Sequence, residues 1–196
     1  MGGINSKDDS QQVLIVGPQK AGKTLFYKRF IDRKKDIEQI NLEPTLGFNH
    51  TTTKYENISF DLWDIGGDPL TKSYWPTFYR NLRFTLVVFV INIADEFSYA
   101  NALKDVLILL NEEELKLARF FILFNIIIDE EIKKKLGDNL KKEFRDRATE
   151  LMNSLKECNV HEFDSRVSWQ VFDILRLTDA DCEFFSNCFI GDTGSK

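Results

Sequence analysis

Short, nearly unbroken apolar runs alternate along the chain with longer stretches in which apolar residues recur every three or four positions. Val13-Leu14-Ile15-Val16, residues 85–93 and residues 119–124 are the runs. A strand reads this way when both of its faces are covered, as at the centre of a parallel sheet. Residues 49–55, rich in Thr, and residues 58–63, which alternate, flank Glu56-Asn57 and predict a hairpin. Residues 168–174 supply a last strand. Helical spacing follows the first run (Leu25, Phe26, Phe30) and returns over 96–114, with Leu103, Leu107 and Leu110 on one face. It returns again in the series Leu136, Leu140, Phe144, Ala148, Leu151, Met152, Leu155, and over 179–190 with Cys182, Phe184, Phe185 and Phe189. The order β-α-β-β-α-β-α-β-α-β-α predicts one three-layer α/β domain over residues 13–190. Its six-stranded sheet is mostly parallel, with one antiparallel edge strand. Residues 1–12 and 191–196 read as polar ends. In such a sheet, ligands bind at the carboxyl ends of the strands.

The chemistry sits at the first of those ends. Gly17-Pro18-Gln19-Lys20-Ala21-Gly22-Lys23-Thr24 lies between the first strand and the first helix and has the spacing G-x-x-x-x-G-K-T. The glycines let backbone N–H groups wrap an anion, and the helix N-terminus adds a favourable dipole. Lys23 would reach the β- and γ-phosphates, and the Thr24 hydroxyl would ligate Mg²⁺. The strand over 58–63 ends in Asp64-Ile65-Gly66-Gly67, a carboxylate followed by a glycine pair. That suits a Mg²⁺-side Asp and a loop whose backbone closes on a γ-phosphate. The motif makes this a nucleotide-binding protein and leaves the base open.

Glu43-Pro44-Thr45-Leu46-Gly47-Phe48, then the hairpin, then Trp63-Asp64-Ile65-Gly66-Gly67 resembles the Arf branch of the Ras-like small GTPases. The resemblance runs from Gly17 to about Ile93. It implies the P-loop NTPase fold of a small G protein, GTP or GDP with Mg²⁺ as cofactors, and a switch read by effector and regulator proteins. By that resemblance Thr45 is the switch I threonine, serving Mg²⁺ together with Thr24. Asp64 is the Walker-B-type Asp, and Gly67 donates its N–H to the γ-phosphate. Nucleotide contacts fall at Gly17, Lys20, Ala21, Gly22, Lys23, Thr24, Leu25, Thr45, Asp64, Gly67, Asn125 and Asp129. Lys23, Thr45, Gly67 and Asp68 take the catalytic positions. Phe48, Trp63 and Phe78 fall where the family carries its effector-docking aromatic triad, Phe78 standing for a tyrosine; the other reading makes them core aromatics.

The departures from the family are as informative. Asp68 stands where a glutamine orients the attacking water. It is shorter and carries a negative charge beside an anionic phosphate, so hydrolysis is expected to be slow. Pro69 would stiffen this loop. Where the family has N-K-x-D, this chain has Asn125-Ile126-Ile127-Ile128-Asp129, with Ile126 for the Lys and Ile128 for the Asp. Either a one-residue bulge brings Asp129 to the base, or base selection is lost. Leu175-Arg176-Leu177 follow the last strand in place of an S-A-K-type loop.

Net charge of −5 with no basic face excludes nucleic acid as a natural partner. Cys158, Cys182 and Cys188 lack metal spacing and read as reduced thiols of a cytoplasmic chain. No apolar run is long enough to cross a bilayer. Met1-Gly2-Gly3-Ile4-Asn5-Ser6 fits the N-myristoylation pattern with Gly2 as acceptor, and one acyl chain gives only weak peripheral membrane binding. His50 and His161 read as surface residues. The amphipathic series over 136–155 is longer than the family needs; it reads as a helix on the sheet or as one projecting to a partner. Two functions remain: a slowly hydrolysing GTP-dependent switch, and a non-cycling relative serving as a scaffolding subunit.

Overall fold

The computed structural model of the chain describes residues 10–32, 43–55, 58–129, 131, 133, 134, 137, 139–158, 160–178, 181, 184 and 185. Strands β1 (Gln11–Val16), β2 (Phe48–Tyr55), β3 (Ile58–Ile65), β4 (Leu86–Asn92), β5 (Arg119–Asn125) and β6 (Val167–Phe172) form one sheet in the order β2-β3-β1-β4-β5-β6. Only β2 is antiparallel to its neighbour. The expected sheet is therefore the one found.

Side-chain alternation explains the unbroken apolar runs. Val13 and Ile15 of β1, with Val88 and Val90 of β4, enter a core beneath α1 (Lys23–Ile31). Leu14 and Val16, with Val87, Phe89 and Ile91, enter the opposite core beneath α3 (Trp75–Asn81), α4 (Glu96–Leu110) and α5 (Asn139–Lys156). A one-residue slip would exchange the two faces, so the register is fixed by two-sided burial. Edge strand β2 alternates between exposed and half-buried positions, which suits its threonines.

Helix α4 differs from its sequence reading. It ends at Leu110, a separate 3₁₀ turn covers Glu113–Leu115, and its buried stripe is Ala102, Asp105, Val106, Leu109 and Leu110. Leu103 and Leu107 are only half-buried against the core. Leucine spacing located the helix but not its rotation: small Ala102 faces the sheet, and Lys72, from the short helix α2 (Pro69–Lys72), pairs with the buried Asp105. Helix α5 lies on the sheet, with Phe144, Ala148, Met152 and Leu155 buried, and does not project. One further short helix, α6 (Phe163–Arg166), precedes β6.

Residues 33–42, the Glu56-Asn57 turn, Leu136, Cys182, Cys188 and Phe189 lie outside the described residues. Of the closing segment, Phe185 is fully buried and packs edge-on to Phe26 at 5.1 Å and to Phe121 at 5.4 Å, with Phe172 at 4.6 Å. Among the described residues no helix is long and apolar enough to cross a membrane.

Phe185 thus plugs the α1 side of the sheet, and Phe185→Ala is expected to lower unfolding free energy by about 3 kcal/mol. Urea denaturation followed by tryptophan fluorescence would measure it; a loss under about 1 kcal/mol would show that this aromatic contact is dispensable.

Candidate functional site

The loop between β1 and α1 is shaped by close backbone approach. Gly17 has φ +139°, and a Cβ there would lie 2.2 Å from the carbonyl oxygen of Val90, so only glycine lets the loop cross over β4. Lys23, the first residue of α1, is buried, and its ammonium donates to the Pro18 carbonyl at 2.8 Å. Burial lowers its pKa from 10.5 to about 8, against the opposing pull of the Asp64 and Asp68 carboxylates. The loop therefore holds an under-solvated cation that a phosphate would complete.

Three segments converge beside it. The hydroxyls of Thr24 and Thr45 lie 2.7 Å apart. Oδ2 of Asp64 accepts from Thr24 at 2.9 Å, from Thr45 at 3.2 Å and from the Asn49 amide at 3.0 Å. Asp64 is fully buried, and its other oxygen, Oδ1, has no hydrogen-bond partner among the described residues. A buried, half-satisfied carboxylate calls for a cation or bound water. Octahedral Mg²⁺ with ligands at roughly 2.0–2.1 Å places neighbouring oxygens about 3 Å apart, close to the spacing of these two hydroxyls. The residues present fit that ion.

The glycine pair closes over the loop. Gly66 donates to the Gly47 carbonyl at 2.8 Å and accepts from the Trp75 indole at 3.1 Å. The Gly67 carbonyl accepts from the Gln19 N–H at 3.1 Å. A Cβ on Gly67 would lie 2.2 Å from the Gly17 oxygen and 2.5 Å from the Lys23 ammonium, so this approach tolerates no side chain.

Asp68 is engaged elsewhere. Its Oδ1 accepts from the N–H groups of Leu70 and Thr71 at 3.0 and 3.1 Å, and it is the N-cap of α2 with Pro69 at N1. The Thr71 hydroxyl and N–H hold its carboxyl below the usual range. Pro69 therefore starts a helix where the sequence reading had it stiffen a loop; Asp-Pro before a helical turn carried that signal.

On the other side, Asn125 is buried and bridges two loops. Its Nδ2 donates to the Ala21 carbonyl at 3.0 Å, and its Oδ1 accepts from the Ile174 N–H at 3.1 Å. Ile126 is buried in the core, while Ile127 and Leu175 line the same cavity of about 310 Å³ as Lys20, Gly22, Lys23, Thr24, Leu25, Thr45, Gly67, Asp68 and Asn125. Asp129 is exposed, its carbonyl accepts from the Lys133 N–H at 3.0 Å, and it is not among the residues lining that cavity. Ala21 is buried and enters the site through its carbonyl. The sequence reading did not assign Asn49 or Trp75 to the site; nothing local distinguishes them, because each acts on a segment distant in the chain, whereas Gln19 lies within the loop motif and Leu175 in the segment that stands in place of an S-A-K-type loop.

Outside the cavity, Phe48 is half exposed, and its ring centroid lies 5.6 Å from that of Trp63 and 5.2 Å from that of Phe78. Trp63 and Phe78 pack against the core, so the cluster is part core and part surface. His50 is exposed but not isolated, stacking on Trp63 at 4.1 Å; His161 is exposed. Cys158 is a free, exposed thiol. Gly2 lies outside the described residues.

A Walker-type anion loop, two threonine hydroxyls meeting a buried Asp, and a glycine pair closing on the loop define a P-loop nucleotide-binding protein of the small-GTPase fold. The model of the ADP-ribosylation factor family matches residues 1–172, and the chain belongs to that family. It is 33% identical over 115 residues to ADP-ribosylation factor-like protein 1 of Saccharomyces cerevisiae, covering 58% of this chain and 59% of that one. It is 30% identical over 122 residues to ADP-ribosylation factor-like protein 2 of Drosophila melanogaster, covering 62% and 63%. The matches thus span about three-fifths of these relatives' lengths. The fold is also that of the Arl6 BBS3 small GTPase of Trypanosoma brucei, solved with the nucleotide analogue GppNp, at TM-score 0.66 and 21% identity over 90% of this chain and 94% of that one.

Two predictions follow from the geometry. Asn125→Ala leaves a buried carbonyl and a buried N–H without partners and should cost about 2–3 kcal/mol of stability, read by urea denaturation. Burial sets the pKa of Lys23 near 8 in the free protein, so its penalty on folding is fully present below about pH 8 and is relieved as pH rises toward 10.5. A bound phosphate requires the protonated form. Nucleoside-diphosphate affinity should therefore fall about tenfold from pH 7 to pH 9 with uptake of a proton, and Lys23→Met should flatten that slope. Titration calorimetry in buffers of different ionisation enthalpy measures both.

Proposed function

We propose that the chain is an Arf-type switch that binds Mg²⁺·GTP between its anion loop and the Thr45 and Gly67 segments, and that hydrolyses it slowly. The observation that carries this reading is the meeting of Thr24, Thr45 and Asp64, with Asp64 Oδ1 left unpaired in the interior. Bound Mg²⁺ would supply charge neutralisation for the phosphates. Lys23 would add a second positive charge, and the Gly67 N–H would take a γ-phosphate oxygen. Gain or loss of that phosphate would then order or release the Thr45 and Gly67 segments. Exposed Leu46 and Leu70, on the two segments that would respond to the phosphate, together with the Phe48, Trp63 and Phe78 cluster, would be read by an effector or regulator.

Slow hydrolysis rests on Asp68. Its carboxylate caps α2, and a capped anion beside a triphosphate is a poor group for orienting water. The same observation favours a second reading, a scaffolding subunit that holds nucleotide without cycling. Gly2 is the proposed myristoylation site, giving weak peripheral membrane attachment to an otherwise cytoplasmic protein.

Single-turnover hydrolysis of bound GTP separates the two readings. The switch predicts measurable phosphate release that Asp68→Gln accelerates about tenfold or more. No release from either protein over a day would leave the scaffold as the function. For the lipid, an alkyne-tagged myristate should label the full chain and fail to label Gly2→Ala; equal labelling of both removes Gly2 as the acceptor.

A further inference from the structure

We infer that the nucleotide site does not select guanine: it holds purine nucleoside di- and triphosphates by their phosphates and receives the base between aliphatic walls. This rests on the nucleotide-binding reading above and widens its ligand class from GTP to purine nucleotides.

The position of the phosphates limits where a nucleoside can go. The anion loop fixes the phosphates at the N-terminus of α1. Toward the glycine pair the way is closed by the bond from the Gln19 N–H to the Gly67 carbonyl. Besides the segment 43–46, the cavity extends toward the loops after β5 and β6, whose contribution to its lining among the described residues is Asn125, Ile127 and Leu175.

None of the three offers a free side-chain hydrogen-bonding group to a base edge, and the Ile127 N–H donates to Asn92 Oδ1 at 3.3 Å. The Asn125 amide is buried and committed at both ends, to the Ala21 carbonyl and the Ile174 N–H. Ile127 and Leu175 have no polar side-chain atoms. Asp129 is exposed and is not among the lining residues. The carboxylates that do line the cavity are Asp68, which caps α2, and Glu43, two residues before Thr45. Lys20 also lines it, but an ammonium on a flexible stem serves phosphate, ribose or the N7 of either purine.

Guanine differs from adenine in its pattern of donors and acceptors, not in its apolar faces. A site that hydrogen-bonds a distinguishing group rejects the wrong ligand by roughly 10⁴–10⁵, whereas an apolar pocket gains about 10² at most. Dispersion against Ile127 and Leu175 is nearly equal for the two bases. The ordinary one-position reading of N-K-x-D fails here for a physical reason: Ile126 is drawn into the core, and its N–H donates to the Phe172 carbonyl at 2.8 Å, continuing the β5–β6 pairing.

The test is competition binding on the full chain stripped of nucleotide with EDTA and phosphatase, then titrated with fluorescent GDP and ADP analogues in excess Mg²⁺. Dissociation constants within about tenfold of each other are expected. Ile127→Ala should weaken both several-fold, and Asp129→Ala should leave their ratio unchanged. GDP preferred by about a thousandfold would overturn the inference while leaving the nucleotide-binding reading intact. So would a selective loss of GDP affinity in Asp129→Ala, which would place that carboxylate on the base. Failure of either nucleotide to bind would overturn the inference and the reading beneath it together.

Discussion

A carboxylate buried in the interior must be met by donors or by a cation, and Asp64 is the point on which the site depends. One of its oxygens gathers hydroxyls from α1 and from the segment before β2, and the amide of Asn49 on β2 itself. The other oxygen is left for something the chain does not provide. Transfer of a charge from water to such a position is too costly to persist uncompensated. The fold thus leaves one buried carboxylate oxygen to a cation or bound water, and the two threonine hydroxyls beside Asp64 stand at a spacing that Mg²⁺ coordination would accept. Thr45 reaches Asp64 across 19 positions of sequence by a hydrogen bond of 3.2 Å, which ties the segment before β2 to the end of β3.

The opposite side of the cavity is organised by a neutral group. Asn125 uses its amide to join the anion loop to the turn after β6, so phosphate-end geometry and base-end geometry are mechanically linked. Such a bridge is structural: it holds walls at a distance without itself reading what lies between them. Ile127 and Leu175 line that end of the cavity, and Asp129, exposed, is not among the lining residues. One end of the site is rich in charge and the other nearly free of it.

Asp68 serves the fold directly. As N-cap with Pro69 at N1, it satisfies two otherwise orphaned N–H groups of α2. Lys72 at the other end of α2 reaches Asp105 on α4, and Trp75 holds the Gly66 carbonyl. The segment after the glycine pair is therefore tied down at several points, in keeping with a loop whose task is to hold a position.

The sequence by itself determined the sheet, the order of its elements and the phosphate end of the site. Those features are local: two-sided burial writes unbroken apolar runs, and an anion loop needs glycines and a lysine at fixed spacing between a strand and a helix. Even Asp68 as a cap was legible in the Asp-Pro pair. Tertiary structure alone decided the rest. Nothing near Asn125 announces that its amide is consumed by Ala21 and Ile174, and Ile126, Ile127 and Ile128 are identical in type. Which of them faces the cavity was settled by backbone pairing with β6, and the rotation of α4 by small Ala102 and by a lysine 33 residues from its carboxylate. Contacts between segments distant in the chain leave no spacing to read, so the base end of the site became visible only once the sheet had brought its loops together.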